Sequence, residues 1–525
     1  MSARFWYHAV DELDSKQLNA ATAETATGPP SFLGPWRLAG GLLALAAFAW
    51  AFAFPPDYDF WWHLTAGRYI VLRHALPIPD PFSFTAAGHA WIAHEWLSEA
   101  AMYASYRWLG MGGPSALYAV VSAVAALLVF DTLRRLGVRL LPATWWTAVM
   151  FAVLAPWLGP RPQVAAFALL AGLIWLLERW IVRRDRSIWL LPALFCLWGN
   201  LHGSFEIGLG YVALVLGAET FAARYGCNLA TRLDAAGRRR LAAALTAAVL
   251  ALAVNPNGPA LLLYPLTKLN NPLLSYLNQW SPRGLNDPVM WPFFLIAGLY
   301  LALLTVRRLE IWFADLLVAA GFLAGALWSF RFVPFAAICL VVLMGRALTL
   351  PDMGILRLPA PLGRLAAWRG RRAQGFARPA LRAQVLNAVL LLLLVAGMAA
   401  WLRPYNVEQD PTLPVKAVDV LGAEGLQGPL FHNYIWGGYL LWRLWPRVRV
   451  FIDGRGDDLY MNGGVLQSYF EVAQLGPGGD AVLARYGIRT VLFPKDSALT
   501  RYLLAGGRWK TTYDDGQVVR LQLTP

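Results

Sequence analysis

Long apolar runs separated by short polar segments fill the chain from residue 36 to residue 402. A helix that crosses a bilayer needs about 20 mostly apolar residues, and these runs have about that length. The pattern therefore predicts a polytopic bundle of about eleven membrane-spanning helices. The predicted spans are 36–54, 114–133, 141–158, 163–182, 187–201, 205–223, 241–255, 289–306, 311–328, 333–350 and 385–402.

Polar segments precede and follow this bundle. The 1–35 tail has no signal peptide, so we expect the first span to act as an uncleaved signal anchor. From residue 403, short apolar stretches ("GPLFHNY", "VRVFIDGRGDDLY", "RTVLFP" and "GQVVRLQL") alternate with helical segments near 434–444 and 463–475. This alternation predicts a small α/β domain with a partly parallel sheet over 403–525.

Composition agrees with a membrane protein. Of the 525 residues, 58% are hydrophobic and only 14% are charged, whereas about a quarter are charged in soluble domains. The net charge of +14 comes mostly from arginines between apolar runs, which is typical of membrane topology signals and not of nucleic-acid binding. The spacing of Cys196, Cys227 and Cys339 suggests neither a disulfide framework nor a zinc site.

Arginines are distributed unequally between alternate loops. The loops after the even-numbered spans hold about 22 positive charges, and the opposite loops hold about 6. Cytoplasmic loops are the ones enriched in Lys and Arg, so the N-terminus is predicted to be cytoplasmic and the C-terminal domain extracytoplasmic.

Several unusual polar residues fall on the predicted outer face. Buried polar groups at membrane depth are costly and usually line a protected cavity. Carboxylates can act as general bases or bind a divalent cation, and arginine forks match phosphate oxygens. The combination suggests transfer from a phosphorylated lipid at the outer surface. The residues concerned are Asp57, Asp59, His63, His94, Glu95, Arg161, Asn200, His202 and Arg331.

The stretch "PDYDFWWHLTAGRYI", followed by "PIPDPFSFTAAGHAWIAHEWLSE", resembles the first outer loop of bacterial GT-C glycosyltransferases. The later stretches "RPQ", "WGNLHGSF", "NPNG" and "SFRF" look like those of a large, mostly uncharacterised bacterial branch of such proteins. The resemblance implies a GT-C helical bundle over 36–402, with a long first outer loop (55–96) that contains interfacial helices. It also implies an enzyme of the bacterial inner membrane.

The resemblance implies a polyprenyl-phosphate-linked sugar as donor, a glycan, lipid or protein as acceptor, and contact with membrane lipid. Asp57 and Asp59 occupy the position of the catalytic carboxylate, as base or as ligands of a divalent cation, and which of them is the base stays open. The other outer-face residues would bind the substrate. The alternatives are a non-catalytic transporter or flippase, or an assembly partner for lipid-linked envelope glycans. A transporter would need a polar path across the bilayer, and no inverted repeat is evident.

Structural interpretations compete with these roles. Trp61 and Trp62 would suit an aromatic belt at the lipid headgroups, and Asp57 or Asp59 would suit a cap for a helix that begins near Phe60.

The other polar residues also have structural interpretations. Arg161 and Arg331 could extend to lipid headgroups, and His94 with Glu95 could begin a helix at 96. Asp453 and Arg455 could form either a site at a strand end or a salt-bridged turn.

Overall fold

A computed structural model of the chain describes residues 34–225, 231–267, 280–306, 311–349, 381–426, 428–456, 459–460 and 464–524. Most of the predicted N-terminal tail and of the arginine-rich 346–382 loop lies outside these ranges. The described residues belong to two compact units. One contains residues 34–42 and 381–400, where Gly41 lies against the side chain of Leu391, and the other contains all the rest.

Eight helical segments among the described residues are long and apolar enough to cross a membrane. Each matches a predicted span to within a few residues. They are Pro35–Ala53, Gly112–Arg135, Leu140–Trp157, Gln163–Arg183, Phe205–Tyr225, Pro288–Thr305, Phe330–Thr349 and Leu381–Trp401. The other three predicted spans correspond to the shorter helices Leu191–Leu201, Ala235–Ala251 and Phe313–Trp328, so the count of eleven is not confirmed.

Two helices lie in and directly after the predicted first outer loop, at Phe60–Arg73 and Trp96–Leu109. The second helix ends at Gly110, and a new helix begins at Gly112, so it is separate from the following membrane span. The two outer-loop helices pack closely because Gly67 has no side chain: a Cβ there would lie 2.0 Å from the carbonyl oxygen of Glu99. This contact brings residues of the two helices into one site.

The C-terminal segment forms a small α/β domain, as predicted. Its four strands are β1 (Leu430–His432), β2 (Thr490–Pro494), β3 (Trp509–Asp514) and β4 (Val518–Leu523), in the order β1-β2-β4-β3. The β1 and β2 strands are parallel and the other pairs are antiparallel, which confirms the partly parallel sheet. The helices are Val415–Glu424, Gly437–Leu444, Val465–Ala473, Gly479–Arg485 and Ala498–Ala505.

The first outer loop and the C-terminal domain share one hydrophobic core. Trp61 and Trp62 are 2% and 5% exposed, and the Trp61 ring lies 5.0 Å from that of Tyr439. The aromatic-belt interpretation of these tryptophans is therefore wrong, because the C-terminal domain covers the face that would meet lipid. The predicted domain boundary at residue 402 stays a prediction, since packing crosses it.

A buried cluster of charges lies among the membrane helices. Arg346 pairs with Asp315 and with Glu178, whose Oε1 is 2.6 Å from Nη2, and Arg232 lies 3.3 Å from the same Glu178 oxygen. Glu219 accepts the backbone N–H of Arg232. Arg232 and Arg346 are among the arginines of the arginine-rich loops that predict the membrane orientation. Here they pair with buried carboxylates, so they do not serve as charges that flank a membrane span. The membrane orientation therefore rests on the other arginines and stays a prediction.

Reporter fusions near residues 370 and 515 should report opposite sides of the membrane, with residue 370 inside. The reason is the arginine excess in alternate loops. A fusion after Gly137, in another arginine-rich loop, should agree with the one near 370. Signals from the same side at 370 and 515 would contradict the orientation, and with it the choice of site residues by their side.

Candidate active site

Side chains from distant segments line one polar chamber beside the start of the Phe60–Arg73 helix. Its empty space is about 510 Å³, part of it open to solvent. The predicted site residues in its wall are Asp59, His63, His94, Glu95, Arg161, His202 and Arg331. Polar residues after several separate spans thus meet in one place.

Asp57 and Asp59 have different surroundings at the edge of this chamber. Asp57 Oδ2 lies 2.9 Å from Arg161 Nη2, and its other oxygen accepts the backbone N–H of Phe60 at 3.1 Å. Asp57 therefore does interact with the start of the helix. Asp59 immediately precedes this helix but makes no side-chain capping bond, and it accepts instead from the indole N–H of Trp62 at 3.2 Å. The capping interpretation thus fits Asp57 and fails for Asp59.

The position of Asp59 changes its acidity. Burial and the neighbouring Asp57 carboxylate raise the pKa of Asp59 to about 8, although His63 and Arg161 partly oppose the shift. A carboxyl group with a pKa near neutrality is suited to accept a proton during a reaction. The raised pKa suits Asp59 to the role of a base, and which of the two aspartates is the base stays a prediction.

Glu95 is surrounded by three imidazole rings. Its Oε1 lies 3.1 Å from His202 Nε2 and 3.6 Å from His94 Nε2, and its Oε2 lies 3.6 Å from His63 Nε2. Burial opposes ionisation, but the three histidines together hold the pKa of Glu95 well below its usual range. The carboxylate precedes the Trp96–Leu109 helix without a side-chain capping bond. Glu95 therefore contacts the histidines and does not cap the helix, and its predicted contact with substrate stays a prediction.

His202 is held as a neutral ring. Its Nδ1 accepts the backbone N–H of Ser204 at 3.0 Å, so the proton is on Nε2 and points to Glu95. Burial lowers the pKa of His202 to about 3, against the opposing charge of Glu95. A neutral imidazole in this position can donate a hydrogen bond but carries no charge.

His63 lies between two carboxylates. Its Nδ1 is 3.2 Å from Glu99 Oε1, and its other nitrogen faces Glu95. Burial lowers the pKa of His63, but the two glutamates outweigh burial and the net pKa is raised. This is the arrangement of an imidazolium. His63, Glu95 and Glu99 also place one donor atom each within 4.8 Å of one another, a spacing that would suit a divalent cation. A cation at Asp57 and Asp59, as the sequence suggests, stays a prediction.

Asn200 lies apart from the chamber. Its Oδ1 accepts the indole N–H of Trp96 at 2.8 Å, and its amide donates to the carbonyl oxygens of Cys196 and Val254. These bonds join the Trp96–Leu109 helix to the Leu191–Leu201 helix and to the segment that follows the Ala235–Ala251 helix. The contacts assign Asn200 to the scaffold of the site, and its proposed contact with substrate is untested.

Five further residues in the chamber wall were not predicted as site residues: Trp62, Pro162, Gln163, Tyr264 and Gly454. Gln163 is 4% exposed, and its Nε2 has no hydrogen-bond partner among the described residues. Gln163 lies two residues after Arg161 in the "RPQ" stretch, so its closeness to a predicted site residue could have identified it. Gly454 comes from the C-terminal domain, and no local pattern connects it with the outer loop.

An apolar chamber adjoins the polar one. The two share His94, Gln163, His202, Tyr264 and Arg331 in their walls. The apolar chamber has an empty space of about 760 Å³, part of it open to solvent, and four of the side chains in the rest of its wall are aromatic. They are Trp280, Trp328, Phe332 and Phe335. Arg331 lies at the junction, with its guanidinium 5.0 Å from the centre of the Trp280 ring.

Comparison with solved structures identifies this architecture. ArnT from Cupriavidus metallidurans, in the apo state, matches with a TM-score of 0.52 and 16% sequence identity, over 93% of this chain and 97% of that one. The chain has the GT-C fold. No protein-family model and no curated protein match the sequence.

Two further structures with the GT-C fold match less well. The apo Archaeoglobus fulgidus oligosaccharyltransferase has a TM-score of 0.49 and 13% identity, over 86% of this chain and 69% of that one. AglB from the same organism, in complex with an inhibitory peptide and a dolichol-phosphate, has a TM-score of 0.48 and 12% identity, over 91% and 75%. The fold predicted from the outer-loop resemblance is confirmed.

Proposed function

We propose that this chain is a membrane glycosyltransferase that moves a sugar from a polyprenyl-phosphate donor to an acceptor at the outer face of the membrane. The observation that carries the proposal is the junction of a carboxylate- and arginine-lined chamber with an aromatic-lined chamber. A lipid-linked sugar phosphate has the same division into a polar head and an apolar tail. The shared GT-C fold supports the general kind of activity.

Each group has a role in this proposal. Asp59 accepts the proton of the acceptor hydroxyl or amine, whose oxygen or nitrogen forms a bond to the anomeric carbon of the sugar. The bond between that carbon and the phosphate oxygen breaks, and polyprenyl phosphate leaves with the electron pair. Arg161 and Arg331 stabilise the charge that develops on the phosphate.

The remaining polar groups hold the sugar and shape the chamber. Gln163 has an amide N–H available in the wall, where it would donate to a sugar hydroxyl or a phosphate oxygen. Glu95 fixes the rings of His63, His94 and His202, so these imidazoles shape one side of the chamber. If a divalent cation takes part, Asp57 and Asp59, or the cluster of His63 and its two glutamates, would supply its ligands.

The purified protein in detergent should release sugar from a radiolabelled polyprenyl-phosphate sugar when an acceptor mixture from a bacterial envelope is added. Transfer to any envelope component supports the enzyme. Donor movement across the bilayer of proteoliposomes without any transfer would support the transporter or flippase instead. A panel of donor sugars is needed, because the sugar is not fixed by these contacts.

Arg161→Lys and Arg331→Lys should each weaken donor binding about tenfold, because lysine keeps the charge but loses the planar fork. For Arg331 the contact with the Trp280 ring is lost as well. The measurement is the affinity for a non-hydrolysable polyprenyl-phosphate sugar in detergent.

Arg139→Lys provides the matched control, since Arg139 is exposed on the predicted cytoplasmic side and should bind no donor. If both site variants bind the donor as tightly as this control, the arginines contact lipid headgroups and not the donor phosphate. The enzyme proposal would then rest on the carboxylates alone.

A further inference from the structure

The C-terminal domain contributes part of the wall of the polar chamber. The turn Asp453–Arg455 brings Gly454 to the carboxylate of Asp59: a Cβ at residue 454 would lie 1.8 Å from Asp59 Oδ1 and 2.6 Å from Trp62 Nε1. Gly454 has no positive φ, so its backbone does not require glycine. The absence of a side chain is needed because the neighbouring atoms are those of the acid and its indole donor.

Buried charges hold this turn in place. Arg455 Nη1 lies 2.7 Å from Asp80 Oδ1 in the first outer loop, and its Nε and Nη2 bind the two oxygens of Asp453 at 2.8 and 2.6 Å. Tyr460 donates to Asp453 at 2.8 Å. The Asp80, Asp453 and Arg455 side chains are 0% exposed. The salt-bridged-turn interpretation is therefore confirmed, and the turn is fixed to the same loop that carries Asp59.

Backbone contacts fix the domain at two more places. Val450 pairs with Ser83 in a parallel bridge between the domain and the loop. The Gly437–Leu444 helix packs against the start of the Phe60–Arg73 helix. A Cβ at Gly438 would lie 2.9 Å from the backbone nitrogen of Trp62. The domain is thus held against the residues that flank Asp59 by several independent contacts.

We propose that the Asp453–Arg455 turn positions the Asp59 carboxylate, so that the C-terminal domain is an integral part of the transfer site. Because Gly454 has no side chain, the Asp59 carboxylate has room to accept the indole N–H of Trp62. The backbone of the turn packs against the carboxylate and limits its rotation. Gly454 is a positioning residue and touches no substrate. This inference rests on the proposed function, in which Asp59 accepts the acceptor proton.

Gly454→Ala should lower kcat for sugar transfer about 100-fold while KM for the donor changes less than about twofold, because a small displacement of the base affects chemistry more than binding. The rate is referred to the folded fraction of each variant, because loss of folded enzyme alone would also lower kcat without a change in KM. Gly506→Ala is the matched control: its helix-end glycine lies in the same domain, and a Cβ there meets atoms only at 3.7 Å or more. The control should leave both constants unchanged.

A thermal double-mutant cycle tests the contact without any transfer assay. Gly454→Ala should lower the unfolding midpoint by about 2 °C in the wild-type background and by clearly less in the Asp59→Ala background, where the obstructing carboxylate is gone and only the Trp62 ring still meets the new Cβ. Equal shifts in the two backgrounds would overturn the positioning contact. So would a Gly454→Ala enzyme that transfers sugar at the wild-type rate.

The two proposals fail in different ways. A wild-type protein that binds donors but transfers no sugar from any of them overturns the proposed function and the catalytic meaning of the turn, even when the thermal cycle shows coupling. A wild-type protein that transfers sugar while the cycle shows no coupling overturns only the positioning role. Asp59 and Gly454 are then independent parts of a working enzyme.

Discussion

Asp59→Asn should reduce sugar transfer by about 10²- to 10⁴-fold while expression and thermal stability stay close to wild type. Asparagine keeps the shape of the side chain and can still accept the Trp62 indole N–H, but it cannot take up a proton. Asp59 makes no side-chain capping bond, so the helix loses nothing by the change. The measurement is kcat/KM for transfer from a polyprenyl-phosphate sugar.

The pH dependence of the wild-type enzyme checks the same role. Asp59 must be deprotonated to accept a proton, and its pKa is raised to about 8, so kcat/KM should rise with pH and level off above that value. Below this range the protonated acid predominates, and transfer should fall about tenfold per pH unit. A profile without this limb would remove Asp59 as the base.

Asp57→Asn separates the two aspartates. The variant keeps an oxygen for the backbone N–H of Phe60 but loses the charge that pairs with Arg161, so we expect severely impaired transfer with a normal helix start. Asp496→Asn, at an exposed position in the C-terminal domain, is the control. Full activity in both Asp57→Asn and Asp59→Asn would show that these two aspartates have only a structural role.

The fold was predictable where local pattern decides it. Apolar runs of membrane-spanning length located the long helices to within a few residues, and short apolar stretches located β1, β2 and β4. The stretch around Val450 looks like a strand, yet it makes only a bridge to Ser83, because its partner is a distant loop and not a neighbouring strand. The β3 strand was not predicted, since its sequence "WKTTYD" is polar and mostly exposed.

The site was predictable from topology and from the outer-loop resemblance. Sorting polar residues by their side of the membrane selected eight residues that line or adjoin the polar chamber. It could not reveal Gly454, whose contact with Asp59 joins positions far apart in the sequence and depends on the docking of a separate domain. The prediction for Trp61 was wrong for the same reason. Its neighbours in the sequence suggest a lipid interface, but the C-terminal domain, which is distant in the sequence, buries it.

Arg455→Ala should lower the free energy of unfolding by about 3–5 kcal/mol by weakening the interface between the C-terminal domain and the first outer loop. Arg455 is fully buried between Asp80 and Asp453, and burial opposes its charge while the two carboxylates raise its pKa. Removal of the guanidinium leaves both acids without a counter-charge in a buried site. The measurement is the unfolding midpoint in detergent, together with the rate at which a protease cuts the C-terminal domain.

The expected loss exceeds that of a surface ion pair because water cannot replace the missing partner. Lys495→Ala is the matched comparison: its ammonium lies 2.7 Å from Asp514 with both side chains substantially exposed to water, so its removal should have a much smaller effect on stability. Arg455→Lys should fall between the two, since one ammonium cannot bind both acids as the guanidinium does. Equal stabilities for Arg455→Ala and Lys495→Ala would show that the apolar core, and not this arginine, holds the domain against the loop.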